Sequence, residues 1–299
     1  MAWSEIFQNP EFLEKTRIGM LLPEYRPLIQ KWIGITDNCK ILDVGCGTGI
    51  FGKYLACGMK GIEICGVDND EGFVAYAKSN CVCDDNTFSF TLADAGELPF
   101  EDGYFDAVVS HTFLTSMPDY NKALDEMKRV CKPRKRIASL AGMSITNVPV
   151  DNGVYPFEWT WKRRYDELKN KMWQMFQAIS PYQSFAMGVD CGRIPYLFSC
   201  AGLENVSVYP IGSFWSLSNA AVDNERKNRY IELEYISDLK RLDAVYMLEG
   251  ADKYMSAEEV CEMKELMKKK KEVLKEKINC NNYWEWLGNG NLLVVGSRQ

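Results

Sequence analysis

Three aspartates and a run of glycines carry the chemistry legible in this sequence. Asp43-Val-Gly-Cys-Gly-Thr-Gly49 places glycines at 45, 47 and 49. Glycine lets a backbone turn sharply and come close to a ligand. A helix that follows such a loop presents free N–H groups and a partial positive charge, which suits an anionic group. Counted from Gly45, the dinucleotide fingerprint needs its third glycine where Ile50 stands. The Gly-Lys-Ser/Thr ending of a phosphate-binding P-loop is absent. Asp43 would repel a pyrophosphate, but it would accept a hydrogen bond from an ammonium group. Asp68 stands 25 positions later, where a carboxylate accepts two hydrogen bonds from a ribose diol. Asp94, followed by Ala95, is placed to accept from an exocyclic amine. Together these residues describe a site for a nucleoside joined to an amino-acid-like group.

Such a site needs strands that end at the same rim. The chain supplies them in alternation with helices. Lys40–Val44, Ile62–Asp68, Thr87–Leu92, Phe105–Ser110 and Arg136–Ala141 read as five strands, and Val206–Tyr209 and Asn291–Ser297 as two more. Helical patterns fall at 50–57, 71–79, 120–131 and 192–202, with Ala123, Leu124, Met127 and Val130 on one face of the third. This alternation predicts an α/β fold with a Rossmann-like, doubly wound, mostly parallel seven-stranded sheet. The rhythm breaks twice, so helical insertions are expected after strands five and six, at about 143–190 and 213–288. Residues 1–36 are expected to form an N-terminal helical cap, and 37–299 the main domain.

Four ordered segments resemble the class I S-adenosylmethionine-dependent methyltransferases, in particular the small-molecule, type 11-like group. Ile41-Leu-Asp-Val-Gly-Cys-Gly-Thr-Gly49 resembles their first motif, and Gly66-Val-Asp-Asn69 their ribose-binding segment. The stretch 94–106 resembles their adenine-side loop, and 123–133 the helix before strand five. The similarity covers roughly residues 37–142, with weaker echoes at 190–210 and 290–297. It implies S-adenosylmethionine as cofactor, S-adenosylhomocysteine as product, and methyl transfer to a small-molecule acceptor by in-line displacement. It further implies that Gly45, Cys46 and Gly47, with Gly49 in the same loop, line the methionine part, and that Asp43 sits near its amino group. Asp68 would hold the ribose, Asn69 would lie beside the adenine, and Asp94 and Ala95 would read the adenine edge. Ser110 and His111 would follow strand four under the sulfonium. Two alternatives stay open: a protein that binds the cofactor without transferring methyl groups, and a methyltransferase acting on protein or RNA.

Two departures from the family pattern stand out. Pro133-Arg-Lys135 replaces the usual Pro-Gly-Gly before strand five. The His-His pair that many small-molecule members carry near Thr115-Ser116 is also missing.

On the acceptor side, His111 is either a general base or a wall residue touching cofactor. Trp159 and Trp161 lie in an aromatic run that forms either an acceptor lid or the core of the first insertion. Arg193 either binds an acidic acceptor or serves the surface. Lys268–Lys271, flanked by glutamates, reads as a solvated helix face.

Composition narrows the rest. Hydrophobic residues are 46% and charged residues 25%, the balance of a soluble globular chain. The net charge of −6 counts against a nucleic-acid partner. Eleven cysteines without a Cys-x-x-Cys pair, and a single histidine, exclude a conventional zinc or multi-histidine metal site. No signal peptide and no membrane span are expected, which makes the cytoplasm the default location. Oligomeric state is not legible.

Overall fold

The computed structural model describes residues 4, 9–18, 20–82, 85–117, 119–143, 161–179, 191–215, 223–280 and 287–299. After α1 (Pro10–Ile18) and α2 (Arg26–Ile33), the chain alternates β1 (Lys40–Val44), α3 (Ile50–Ala56), β2 (Glu63–Asp68), α4 (Glu71–Asn80) and β3 (Thr87–Leu92). Next come β4 (Phe105–His111), α5 (Tyr120–Val130), β5 (Cys131–Met143) and α6 (Lys162–Ile179). The chain closes with α7 (Ile194–Cys200), β6 (Glu204–Trp215), α8 (Asn224–Tyr246), α9 (Ala257–Asn279) and β7 (Leu287–Ser297).

The seven strands form one sheet in the order β3-β2-β1-β4-β5-β7-β6. The contacts among β1 to β5 are parallel, while β7 runs antiparallel between β5 and β6. β6 lies at the edge, which is where a strand tolerates Pro210. Both β6 and β7 are longer than the sequence pattern predicts, because each extends the other's ladder from Leu287 opposite Trp215 onward.

Helices cover both faces, as the period-3.6 patterns require. On one face α5 buries Ala123, Leu124, Met127 and Val130, joined by Ile194, Leu197 and Phe198 of α7. On the other, α2 contributes Ile29 and Ile33, and α3 contributes Phe51 and Leu55. A separate apolar cluster joins Leu168, Met172, Met175 and Phe176 of α6 to Leu242 and Val245 of α8 and Val260, Met263 and Met267 of α9. This second core explains how the insertions stand together away from the sheet. Ser256 and Glu259 close the capping box spelled at the start of α9.

The tetralysine run is only partly the solvated face its composition suggests: Lys268 and Lys269 are exposed, but Lys270 and Lys271 are half-buried. Lys270 pairs with Glu234 at 3.6 Å and Lys271 with Glu232 at 3.1 Å, both across to α8. Lys269 stands over the Trp161 ring at 5.6 Å and Lys271 over Tyr235 at 4.1 Å. Tertiary partners more than 30 positions away in sequence decide this, with glutamates on α8 in place of the flanking ones.

The Pro133-Arg-Lys135 turn keeps a glycine-like backbone without the glycine. Arg134 has φ 63°, a conformation that costs a side-chain-bearing residue roughly 1–2 kcal/mol. Its N–H donates to the Arg298 carbonyl at 3.0 Å. Lys132 and Lys135 turn to Asp106 at 3.0 and 3.6 Å.

Candidate functional site

The strand order reverses between β1 and β4, and in open α/β sheets the crevice beyond such a reversal is where ligands bind. Two turns meet there. After β1 the glycine loop folds back over β2, with the N–H groups of Gly45 and Cys46 both donating to the Val67 carbonyl at 2.8 and 3.0 Å. Gly45, Gly47 and Gly49 all have positive φ, of 67°, 53° and 75°, a region only glycine enters freely. After β4, Thr112 has φ 51°. A β-branched residue there stores strain of about 1–3 kcal/mol. That twist lays the Phe113 ring against Gly45, where an added Cβ would sit 2.2 Å from Phe113 Cδ2. The loop and the β4 turn are therefore in direct contact through a position that admits no side chain.

Asp43 is 1% exposed. Its Oδ2 accepts from the Gly52 N–H at 3.1 Å, while Oδ1 has no partner. Burial pushes its pKa up to about 7, against the Gly52 amide, with the nearby Asp68 charge adding a smaller push. Asp68 accepts from the Gly47 N–H at 2.8 Å and the Asp70 N–H at 3.0 Å, one on each oxygen. Burial raises it to about 6, and the Gly47, Asp70 and Asn69 amides oppose the rise. A carboxylate has about four acceptor positions, so Asp68 retains acceptor capacity for a diol hydroxyl. Asp70 beside it is committed to structure: it caps α4 through Gly72 and Phe73 and also accepts from Ser4. Asp94 Oδ1 accepts from the Gly96 N–H at 2.7 Å, shaping the loop after β3. Ala95 is buried and Asn69 is exposed at the rim. Cys46 is buried, and burial holds its thiol far above the ordinary range, so it stays protonated.

Ser110 and His111 are the last two residues of β4, rather than residues following it. Ser110 is expected at the cofactor, but its hydroxyl is buried in the sheet and hydrogen-bonded to Ser139 at 3.3 Å. His111 stands at the end of β4, level with the glycine loop, and is buried. Its ring lies 5.1 Å from that of Phe51, and Nε2 is buried without a partner. Burial, with the positive charge of Arg17 as a smaller effect, pulls its pKa well below 6.5, so the ring is neutral at pH 7.

The remaining acceptor-side candidates are not gathered here. Trp161 packs edge-on to Tyr165 at 6.3 Å in the helical layer, which is the core role rather than the lid. Arg193 is exposed just before α7. Trp159 lies outside the described residues.

Sequence reasoning expects a helical cap over residues 1–36 but singles out none of the residues of α1, which crosses the crevice. Leu13 Cδ2 would sit 3.1 Å from a Cβ on Gly47. Glu14 accepts from the Tyr76 hydroxyl at 2.6 Å, tying α1 to α4. Glu11 pairs with Arg229 of α8 at 2.7 Å, and Phe12 packs on Tyr230 with centroids 6.3 Å apart. No local signal marks these residues, because each acts through a partner more than 30 positions away.

Asp43 Oδ1, Thr48 Oγ1 and His111 Nε2 are three buried polar atoms without partners around one crevice. Buried polar groups are normally satisfied. Three orphans beside a loop of left-handed glycines fit a polar ligand that has an ammonium end and hydroxyls. No group of histidine, cysteine and carboxylate side chains among the described residues is arranged to hold a metal ion.

A family profile described as a methyltransferase domain matches residues 42–139. Demethylmenaquinone methyltransferase of Staphylococcus aureus (strain MRSA252) is 37% identical over 133 residues, covering 44% of this chain and 54% of that protein. The chain thus spans about half the length of the curated relatives it matches. Among solved structures, the YcgJ protein of Bacillus subtilis aligns over 92% of this chain and 98% of its own, at 17% identity and a TM-score of 0.48. Phosphoethanolamine N-methyltransferase 2 of Haemonchus contortus, in complex with S-adenosyl-L-methionine, aligns over 92% and 52%, at 15% identity and a TM-score of 0.46.

Proposed function

We propose that this chain, which belongs with the class I S-adenosylmethionine-dependent methyltransferases through the methyltransferase domain at residues 42–139, transfers a methyl group to a small-molecule acceptor. The observation that carries the reading is the crevice between β1 and β4, where the glycine loop, Asp43, Asp68 and three unsatisfied polar atoms converge. S-adenosylmethionine, when bound, supplies a methyl group on a sulfonium, which an acceptor atom displaces in line.

The protein's part is then mainly alignment. Gly45, Cys46, Gly47 and Gly49 form the cradle in which a backbone can approach the amino-acid end. Asp43 Oδ1 accepts from an ammonium group, and this pairing favours its ionised form. Asp68 keeps its backbone partners and offers its remaining acceptor capacity to the ribose. Asn69, Asp94 and Ala95 line the adenine side. His111, neutral and with Nε2 open, can take a proton from an oxygen or nitrogen acceptor. We place this work in the cytoplasm, where the ten free cysteines of the described residues stay reduced. No helix of the described residues is long and apolar enough to cross a membrane.

Calorimetry with S-adenosylhomocysteine tests the reading. The wild-type chain should bind, and Asp68→Ala should weaken binding by about tenfold to a hundredfold, since it removes hydrogen bonds to a charged acceptor. Asp68→Asn, which keeps an acceptor for one amide, guards against mistaking a folding defect for a binding defect. Wild-type protein that does not bind would overturn the donor assignment. Transfer of labelled methyl groups across a panel of small acceptors then tests the activity.

A further inference from the structure

Arg17 is a cation in search of an anion. It lies on α1, one helical turn after Leu13, which covers Gly47. Its guanidinium Nη1 points to the Met20 sulfur at 3.8 Å, a weak acceptor. It makes no ion pair with a carboxylate of the described residues, whereas Glu11 and Glu14 on the same helix are taken by Arg229 and Tyr76. Burial pulls its pKa down to about 10, although part of the residue reaches solvent. Enclosing an arginine without a counter-charge is unfavourable. Its neighbours define the place. Met20 Cε would be 3.5 Å from a Cβ on Gly142 of β5, and the charge of Arg17 acts on His111 at the end of β4. The guanidinium therefore sits above the ends of β4 and β5, past the glycine loop and on the side away from Asp68 and Asp94.

We propose that Arg17 and His111 form a carboxylate-binding site, carried over the crevice by α1. Arg17 offers a planar fork of N–H donors that matches a carboxylate. With its proton on Nε2, His111 adds a third donor, and while the carboxylate is bound this role replaces that of a base. One ligand group thus satisfies both an unmatched charge and an orphaned ring nitrogen. Glu11–Arg229 and Glu14–Tyr76 hold α1 at both sides, so the fork is in position before the ligand arrives. The site rests on the donor reading above. Two sources supply a carboxylate there: the amino-acid end of the donor, and an acidic acceptor.

Calorimetry on the full chain separates them with three probes. S-adenosylhomocysteine has the carboxylate, 5′-methylthioadenosine has the same nucleoside without it, and benzoate stands in for an acidic acceptor. Benzoate is titrated with and without saturating S-adenosylhomocysteine. Arg17→Met is expected to weaken one carboxylate probe by about tenfold to a hundredfold, with 5′-methylthioadenosine unchanged. Arg17→Lys should recover part of the loss, because it restores charge but not the fork. Loss with S-adenosylhomocysteine assigns the site to the donor, and loss with benzoate assigns it to the acceptor. The proposal is overturned if Arg17→Met leaves both carboxylate probes unchanged, or weakens 5′-methylthioadenosine equally. Wild-type protein that binds neither nucleoside overturns the donor reading instead, and benzoate still decides the role of Arg17.

Discussion

Replacing Asp43 with asparagine probes the buried acid beneath the glycine loop. The side chain is 1% exposed, with one oxygen on the Gly52 amide and the other without a partner. Burial moves its pKa from 3.8 to about 7. An acid raised on folding holds its proton in the folded state while the unfolded chain has already lost it. Its stabilising contribution is full below pH 3.8 and is lost as pH rises through about 7. By linkage, the loss relative to strongly acid solution is roughly 2 kcal/mol at pH 5 and roughly 4 kcal/mol at pH 8. Asparagine keeps the acceptor for Gly52 and never ionises. The stability of Asp43→Asn relative to wild type should therefore improve by about 2–3 kcal/mol between pH 5 and pH 8. Urea unfolding of both chains at both pH values measures this, with equal m-values confirming a common unfolding reaction. S-adenosylhomocysteine at pH 8 should favour the wild type, because its ammonium pairs with a carboxylate and not with an amide. A stability difference that stays constant with pH would refute the reasoning, since it would mean that the acid is not perturbed by burial.

Arg134→Gly relieves the left-handed strain near the start of β5, and the larger unfolded-state freedom of glycine offsets part of the gain. A net gain of up to about 1 kcal/mol should raise the melting temperature by about 2 °C in scanning calorimetry. A fall would show that the turn is held by the arginine side chain. His111 is the chain's one histidine, so its ring proton is a single NMR resonance. It should remain at the neutral position as pH falls through the ordinary value of about 6.5, because burial holds its pKa well below that. The stability that this neutral ring contributes is lost as pH falls below the unfolded value. A titration centred near 6.5 would place the ring in solvent.

Much of the framework of the β1–β4 crevice was legible because its residues act locally. Asp43 and Gly45 to Gly49 are contiguous, and a strand, a glycine turn and a helix start are encoded within ten residues. Asp68 and Asp94 stand at the ends of neighbouring strands, so alternation alone carries them to one rim. Ser110 shows the limit of that logic. Sequence places it at the end of β4, but successive side chains alternate across a strand, and pairing with Ser139 turns its hydroxyl into the sheet. Trp161 and the lysines of α9 show another limit. Their partners come from α6 and α8, and no spacing in the sequence states which helix faces which.

The sequence by itself determined the alternating α/β plan, the glycine loop and the acids beside it, because periodicity and local backbone freedom are properties of neighbouring residues. The tertiary structure decided what closes over that loop. Phe113 meets Gly45 only because Thr112 twists the chain after β4. Arg17 reaches the ends of β4 and β5 only because α1 is tied to α4 on one side and α8 on the other. Burial then sets the charge states of Asp43, Asp68 and His111, and burial depends on the whole fold rather than on any segment.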